Sequence, residues 1–452
     1  MERRDITAEG LRVAIGFPSV VMLVIGGIVG VGIFVNPAVV ARGLHSPILV
    51  LAAWGLGGAV ALLGAFVYAE LAARMPATGG EYVYLRDTYG PLAGFLFGWT
   101  TLLVVQAGGM AAVSIIFAKN LDVLFGGKLP ERAVVVAVLA GLAAVNCFGV
   151  RSGNAVQAVL GALKVAVITA VILAGLLLTG HAAPLLAPAA RPAPSGDLLK
   201  AFGAALIPVV FSYGGWQRAA CVAGEMKDAR RNLSRALVVG VLGVIVLYLL
   251  VNVACLRVLG IEALGRTLTP TSDVLRQTVG PVGLNLAAAA IALSALGFLS
   301  QSTLTGPRIY FAMARDGLFF RRVGEVAKAS HVPVVAILIQ TVWTAAVALS
   351  GSYEQILSYV TSMNFLFFGL NASCLFLLRK RERAAGVGAT EDGFRAPFHP
   401  WSTGLFILAC GVVVGSSFWA YPINCMIGYA ILLLGVPPFL YWRGKARRAR
   451  AP

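Results

Sequence analysis

Apolar residues run along this chain in long blocks, separated by short polar or Gly/Pro-rich punctuation. Twelve blocks approach the ~20 residues that a helix needs to cross a bilayer core. They cover 14–41, 46–73, 89–119, 130–149, 153–180, 199–225, 234–258, 281–313, 332–350, 353–378, 401–420 and 424–442. Pro47, Gly90-Pro91, Pro130, Gly180, Pro270, Gly280-Pro281, Pro333, Gly351 and Pro400 mark the boundaries, as helix breakers do. The pattern predicts an all-α membrane protein forming one transmembrane domain over 1–452.

Two blocks are interrupted inside the expected membrane depth. The first span contains Ile25-Gly26-Gly27-Ile28-Val29-Gly30-Val31-Gly32-Ile33-Phe34. The sixth contains Phe211-Ser212-Tyr213-Gly214-Gly215-Trp216, three residues after Pro208. Each glycine costs a helix interior about 1 kcal/mol. Two such clusters five spans apart predict a pair of broken helices whose unwound backbone faces a ligand. Close helix packing through small residues is the plainer alternative for either cluster alone.

Composition agrees with a membrane protein. Of 452 residues, 59 % are hydrophobic and 12 % charged, against roughly 25 % charged in soluble domains. The net charge of +17 is sorted by loop. With both termini on one side, that side holds 26 Lys/Arg and the other 9, leaving Lys164 inside a span. The positive-inside rule then puts both termini in the cytoplasm, and the charge needs no nucleic acid to explain it. The N-terminal MERRDITAEGLR lacks a small-residue cleavage site, so no cleaved signal peptide is expected. Six cysteines without CxxC spacing read as small apolar residues; no metal or cofactor is expected. No HExxH, phosphate loop or Ser/His/Asp arrangement points to an enzyme.

Five motifs follow in order: GGIVGVGIFVNP (Gly26–Pro37), YAELAARMPATGGEYVYLRDTYGP (Tyr68–Pro91), AVNCFGVRSGNAVQAVLGALK (Ala144–Lys164), FSYGGWQRAACVAGEMKDARRNLSRA (Phe211–Ala236) and GPRIYFAMARDG (Gly306–Gly317). With them the chain resembles the amino acid–polyamine–organocation (APC) transporters, above all bacterial members of the L-type amino acid transporter family. The resemblance implies a LeuT-like fold: inverted repeats at 14–180 and 199–378, with two added helices at 401–442. It also implies alternating-access transport of amino acids, often by exchange, in the bacterial inner membrane. The outer loop near Ala118–Arg132 lacks the cysteine by which heteromeric members bind a heavy subunit, so no disulfide-linked subunit is expected. The expected partners are an amino acid substrate and the lipid bilayer.

A zwitterion at the midplane needs donors for its carboxylate and acceptors for its ammonium. Breaking the first span at Gly30-Val31-Gly32 makes a new, donor-rich helix N-terminus. Carbonyls near Ile28, and near Phe211, Ser212 and Gly214, can accept from the ammonium. Family members usually have Ser or Thr where this chain has Val31, so a hydroxyl contact is lost while the backbone donors remain. The resemblance makes Phe211 a gate over the substrate. Trp216 and Gln217 follow the second break and line the side-chain pocket. No acidic residue stands in either break, which favours neutral substrates. Lys164 matches the family lysine whose ammonium takes the place of a sodium ion; its expected partners are first-span carbonyls and Ser300, Ser302 or Thr303 on the eighth. An unpaired lysine there costs about 2.5–3.5 kcal/mol on insertion scales. Glu70, Glu81 and Glu225 with Arg218, Arg230, Arg231, Arg308 and Arg315 are inner-gate candidates. A proton-coupled symporter and a polyamine or organic-cation carrier stay open as alternatives; a transport-dead receptor is more remote.

Overall fold

The computed structural model describes residues 7, 10–179, 183–184, 195–350, 353–385, 394–420 and 422–450. Among them the fold is helical, with one isolated bridge between Ile15 and Met226. The helices are α1 (Phe17–Ile28), α2 (Gly32–Leu44), α3 (Pro47–Arg74), α4 (Glu81–Tyr89), α5 (Pro91–Thr100), α6 (Gln106–Leu124), α7 (Glu131–Cys147), α8 (Val150–Leu177) and α9 (Ser195–Ser212). There follow α10 (Ala229–Arg266), α11 (Pro270–Val279), α12 (Val282–Thr305), α13 (Pro307–Arg315), α14 (Val334–Ser350), α15 (Tyr353–Ala384), α16 (Trp401–Ala420), α17 (Pro422–Leu433) and α18 (Val436–Arg450). A π turn, Thr101–Val105, joins α5 to α6, and a 3₁₀ segment, Trp216–Glu225, follows α9.

Helices stand at all twelve apolar blocks. Among the described residues, eight helices are long and apolar enough to cross a membrane, by length and composition. The pair α1 and α2, bent by 43°, makes nine if it is one span. α7 and α14 have only 17 residues each, and α9 carries Pro208 inside and stops at the second glycine cluster. The chain is a multi-pass membrane protein. Prolines begin helices where the pattern placed them: Pro47, Pro91 and Pro270 each occupy a first turn, where a missing N–H costs nothing, and Pro307, inside the 281–313 block, begins α13 in the same way.

α1, α2, α3 and α10 pack together as a core, with α8 and α12 against the inner end of α1. Fully buried Trp54, Tyr213 and Tyr248 meet there edge to face, 5.6–5.8 Å from Trp54 to each partner. Both ends of the described chain lie on one face. His331 Nδ1 is 3.1 Å from the Gly10 carbonyl, Ala446 packs against Gly317, and Phe320 meets Trp442 edge to face. We call this the terminal face. Five cysteines are buried and Cys147 partly so; all six are free. The expectations at Gly180, Gly351 and Arg191 lie outside the described residues.

Candidate functional site

α1 ends at Ile28 and α2 starts at Gly32, so the carbonyls from Gly26 to Val29 lose their helical partners. Side chains from three other helices take their place. Lys164 Nζ, on α8, donates to the Gly26 and Val29 carbonyls at 2.9 and 2.7 Å. Ser294 Oγ, on α12, donates to the same Val29 carbonyl at 3.2 Å. Tyr248 Oη, on α10, reaches the Ile28 carbonyl at 3.0 Å and the Ser212 carbonyl at 3.3 Å. The Lys164 amine thus caps the partly negative end of α1. Lys164 is 2 % exposed and fits because α12 has Gly297 beside it, where a methyl group would lie 2.2 Å from Lys164 Cε.

The start of α2 is treated differently. Val31 occupies its N-cap, no side chain caps it, and its first turn holds no acidic residue. Gly30, Val31 and Gly32 retain partial exposure. The first turn of α2 thus has no side chain of the protein capping its N–H groups.

At the second break α9 ends at Ser212 and the 3₁₀ segment starts at Trp216. Gly215 has φ +111°, and a methyl group on it would lie 2.1 Å from the Gly27 carbonyl oxygen. Only glycine meets both conditions. The Gly215 N–H donates to Gln217 Oε1 at 3.0 Å, so Gln217 closes this turn. Asn36 Nδ2 donates to Ser212 Oγ and to the Pro208 carbonyl at 2.7 and 3.1 Å, joining α2 to α9. Phe211 and Gly214 are half-buried. Trp216, 2 % exposed, packs against Tyr68, Phe368 and Phe406.

The structure brings Ile28, Gly30, Val31, Gly32, Phe211, Ser212, Gly214 and Lys164 around one junction. The hydroxyl that shares a carbonyl with Lys164 is that of Ser294, one to three turns before Ser300, Ser302 and Thr303. Thr303 Oγ1 bonds its own helix at Leu299, and the Ser302 carbonyl receives Gln106 and Gln340. Tyr248, which joins the two breaks, gave no sequence signal: it reads as one more aromatic in an apolar run.

Toward the terminal face the junction is sealed by buried ion pairs. Arg308 donates through Nε and Nη2 to the two Glu225 carboxylate oxygens at 2.7 and 3.0 Å, both side chains fully buried. Arg218 lies 3.5 Å from Glu81, which also accepts from Tyr68 Oη at 3.2 Å. Burial pushes the Glu81 carboxyl up, against the opposing pull of Arg218 and Tyr68. Glu70 accepts from Arg379 at 2.6 Å, from Arg74 and from the Ala396 N–H, and Arg74 also pairs with Glu382. Gly224 packs on Thr78, where a methyl group would lie 2.1 Å from Thr78 Oγ1. No group of His, Cys, Asp or Glu among the described residues could hold a metal.

The model of the amino acid permease family matches residues 15–437. The chain belongs to the amino acid permease family. It is 30 % identical to the serine/threonine exchanger SteT of Bacillus subtilis (strain 168), over 98 % of this chain and 99 % of that protein. It is 30 % identical to the human Asc-type amino acid transporter 1, over 97 % of this chain and 84 % of the relative. The human large neutral amino acids transporter small subunit 2 is 28 % identical over 97 % and 82 %. This permease is therefore an amino acid transporter of the APC type and not an enzyme. Its resemblance to the L-type family now rests on nearly the whole chain.

Proposed function

We propose that this permease exchanges neutral L-amino acids across the cell membrane by alternating access, without sodium. One observation carries the reading: the two ends of the first break are treated oppositely. The carbonyl end of α1 is already occupied by Lys164, Tyr248 and Ser294, while the N–H end of α2 is uncapped and partly exposed. An anion is what such an N-terminus binds. The substrate carboxylate takes the N–H groups at Gly30, Val31 and Gly32. The ammonium takes the second lone pairs of the Ile28 and Ser212 carbonyls and those of Phe211 and Gly214. The side chain extends toward Gly214, Trp216 and Gln217, and Phe211 closes over it.

Neither break contains a charged side chain, which suits a neutral substrate. The names of the relatives, a serine/threonine exchanger and a large neutral amino acids transporter, agree with this. Lys164 is a covalent cation at the α1 carbonyls. It cannot dissociate down a gradient, so it supports exchange rather than sodium-driven accumulation. The architecture that goes with this reading has twelve spans, repeats at 14–180 and 199–378, and both termini cytoplasmic. No heavy subunit is required.

Counterflow in proteoliposomes tests the function. Vesicles loaded with L-serine, L-threonine, L-alanine or L-leucine should accumulate the labelled amino acid equally well with sodium or choline outside. L-arginine should not be carried. Uptake that needs sodium, or no counterflow with any neutral amino acid, overturns the proposal.

A further inference from the structure

Below the Lys164 junction lies a second polar layer that the transport site does not use. Gln157 on α8 is 1 % exposed, and neither its Nε2 nor its Oε1 bonds another protein group. Gln301 on α12 is also 1 % exposed, with Nε2 unbonded. Both amides press on α1. A methyl group on Gly26 would lie 2.6 Å from Gln157 Nε2, and one on Gly27 would lie 2.9 Å from Gln301 Nε2.

The two glutamines share a depth. α8 starts near the terminal face, where Gly149 meets the Ser330 carbonyl. Gln157 precedes Lys164 by seven residues, so its backbone is two turns or about 10 Å nearer that face, while its amide reaches α1 at Gly26. α12 runs toward the same face, and Gln301 follows Ser294 by seven residues. Lys164 and Ser294 meet at the Val29 carbonyl, so the glutamines stand at similar levels on adjacent faces of α1, at Gly26 and Gly27.

Burying an amide without a partner costs about 1–3 kcal/mol. Among the described residues no protein group bonds Gln157 Nε2, Gln157 Oε1 or Gln301 Nε2, whereas apolar side chains of the same size would carry no such cost. The inner half of α1 covers both amides. When it moves aside to open the site toward the terminal face, they become the first polar side chains beneath the junction. A carboxamide offers both donor and acceptor, which is what a zwitterion needs.

We propose that Gln157 and Gln301 form an inner way-station for the substrate, hidden behind α1 in the sealed state and used only on the terminal-face side. The inference rests on amino acid exchange as the function. The two amides take the carboxylate and ammonium as these leave the broken helices. They play no part in binding from the opposite face.

The test is the sidedness of KM for L-serine exchange, measured in proteoliposomes of uniform orientation. Gln157→Leu and Gln301→Leu should each raise KM on the terminal-face side about fivefold, the equivalent of one net hydrogen bond. KM on the opposite side should stay at its wild-type value. Gln157→Met, unbranched like glutamine, replaces Gln157→Leu if that variant is unstable, with the same expectation. Thermal stability should hold or rise, since a buried unpaired amide is removed. Equal changes on both sides, or none, overturn the way-station while leaving exchange intact. Failure of the wild type to exchange L-serine, L-alanine or L-leucine overturns the functional reading itself, and the way-station with it.

Discussion

Gly215 crosses Gly27 backbone to backbone, so closely that a methyl group on Gly215 would lie 2.1 Å from the Gly27 carbonyl oxygen. The unwound segment of the second broken span therefore touches the last turn of α1 without a side chain between them. Gly215→Ala must displace that carbonyl and also hold a side chain at φ +111°. A cost of about 3 kcal/mol or more is expected from strain and overpacking. A melting curve in detergent should fall by several degrees, and exchange should be lost. A variant with wild-type melting and exchange would mean that the breaks do not meet this way.

Lys164 neutralises the carbonyl end of α1. Lys164→Ala should lower the exchange rate at least tenfold, while Lys328→Ala, on the terminal-face loop, should leave it unchanged. Radiotracer exchange at constant pH in choline medium is the measurement. A fully active Lys164→Ala would remove the lysine from the mechanism.

Tyr248→Phe keeps the ring against Trp54 and deletes the hydroxyl that bridges the Ile28 and Ser212 carbonyls. The expected loss is about 1–3 kcal/mol, because two buried acceptors lose one donor. Exchange should slow more than expression falls. Parallel thermal melts and initial rates separate the two effects.

Phe211 stands half-buried at the end of α9. As a lid over the substrate, it should matter more for turnover than for affinity. Phe211→Ala should lower the maximal rate with a smaller change in KM, and Phe211→Trp should be milder. Unchanged exchange kinetics in the alanine variant would reduce Phe211 to packing.

Glu225 and Arg308 form a fully buried pair on the terminal side of the junction. Removing one partner leaves the other charge uncompensated, at a cost of about 3–5 kcal/mol. Glu225→Gln or Arg308→Met alone should destabilise strongly, and the double variant should recover much of the loss. A double-mutant cycle on melting midpoints reads the coupling, and additive effects would deny it.

The glycine clusters and prolines made the breaks and helix starts legible in the sequence, because backbone consequences of these residues are local. Lys164 was legible because a lone cation amid Ala, Leu and Val has no cheap alternative. Ser294 was not. A sequence shows which residues on a helix carry hydroxyls, but depth along α12 depends on how α8 and α1 pack beside it. Tyr248 was hidden for a related reason: its ring serves the core and only its oxygen serves the junction. The charges of the terminal face were visible, yet Glu225 with Arg308 and Glu81 with Arg218 are matched by the packing of the 3₁₀ segment on α13 and α4.

The segment ahead of α1 is stitched to the end of the 3₁₀ segment: Ala14 and Ile15 donate to the Glu225 carbonyl, and the Lys227 N–H donates to that of Ile15. Under the alternating access proposed above, this makes the start of the chain a handle on the inner parts of the broken spans. A reporter attached near Thr7 rides with the inner halves of both broken spans, whereas one attached on α18 rides with the neighbouring 317–322 turn. A pair of dyes at those two ends would report opening as a change in distance, with no probe inside the transport path.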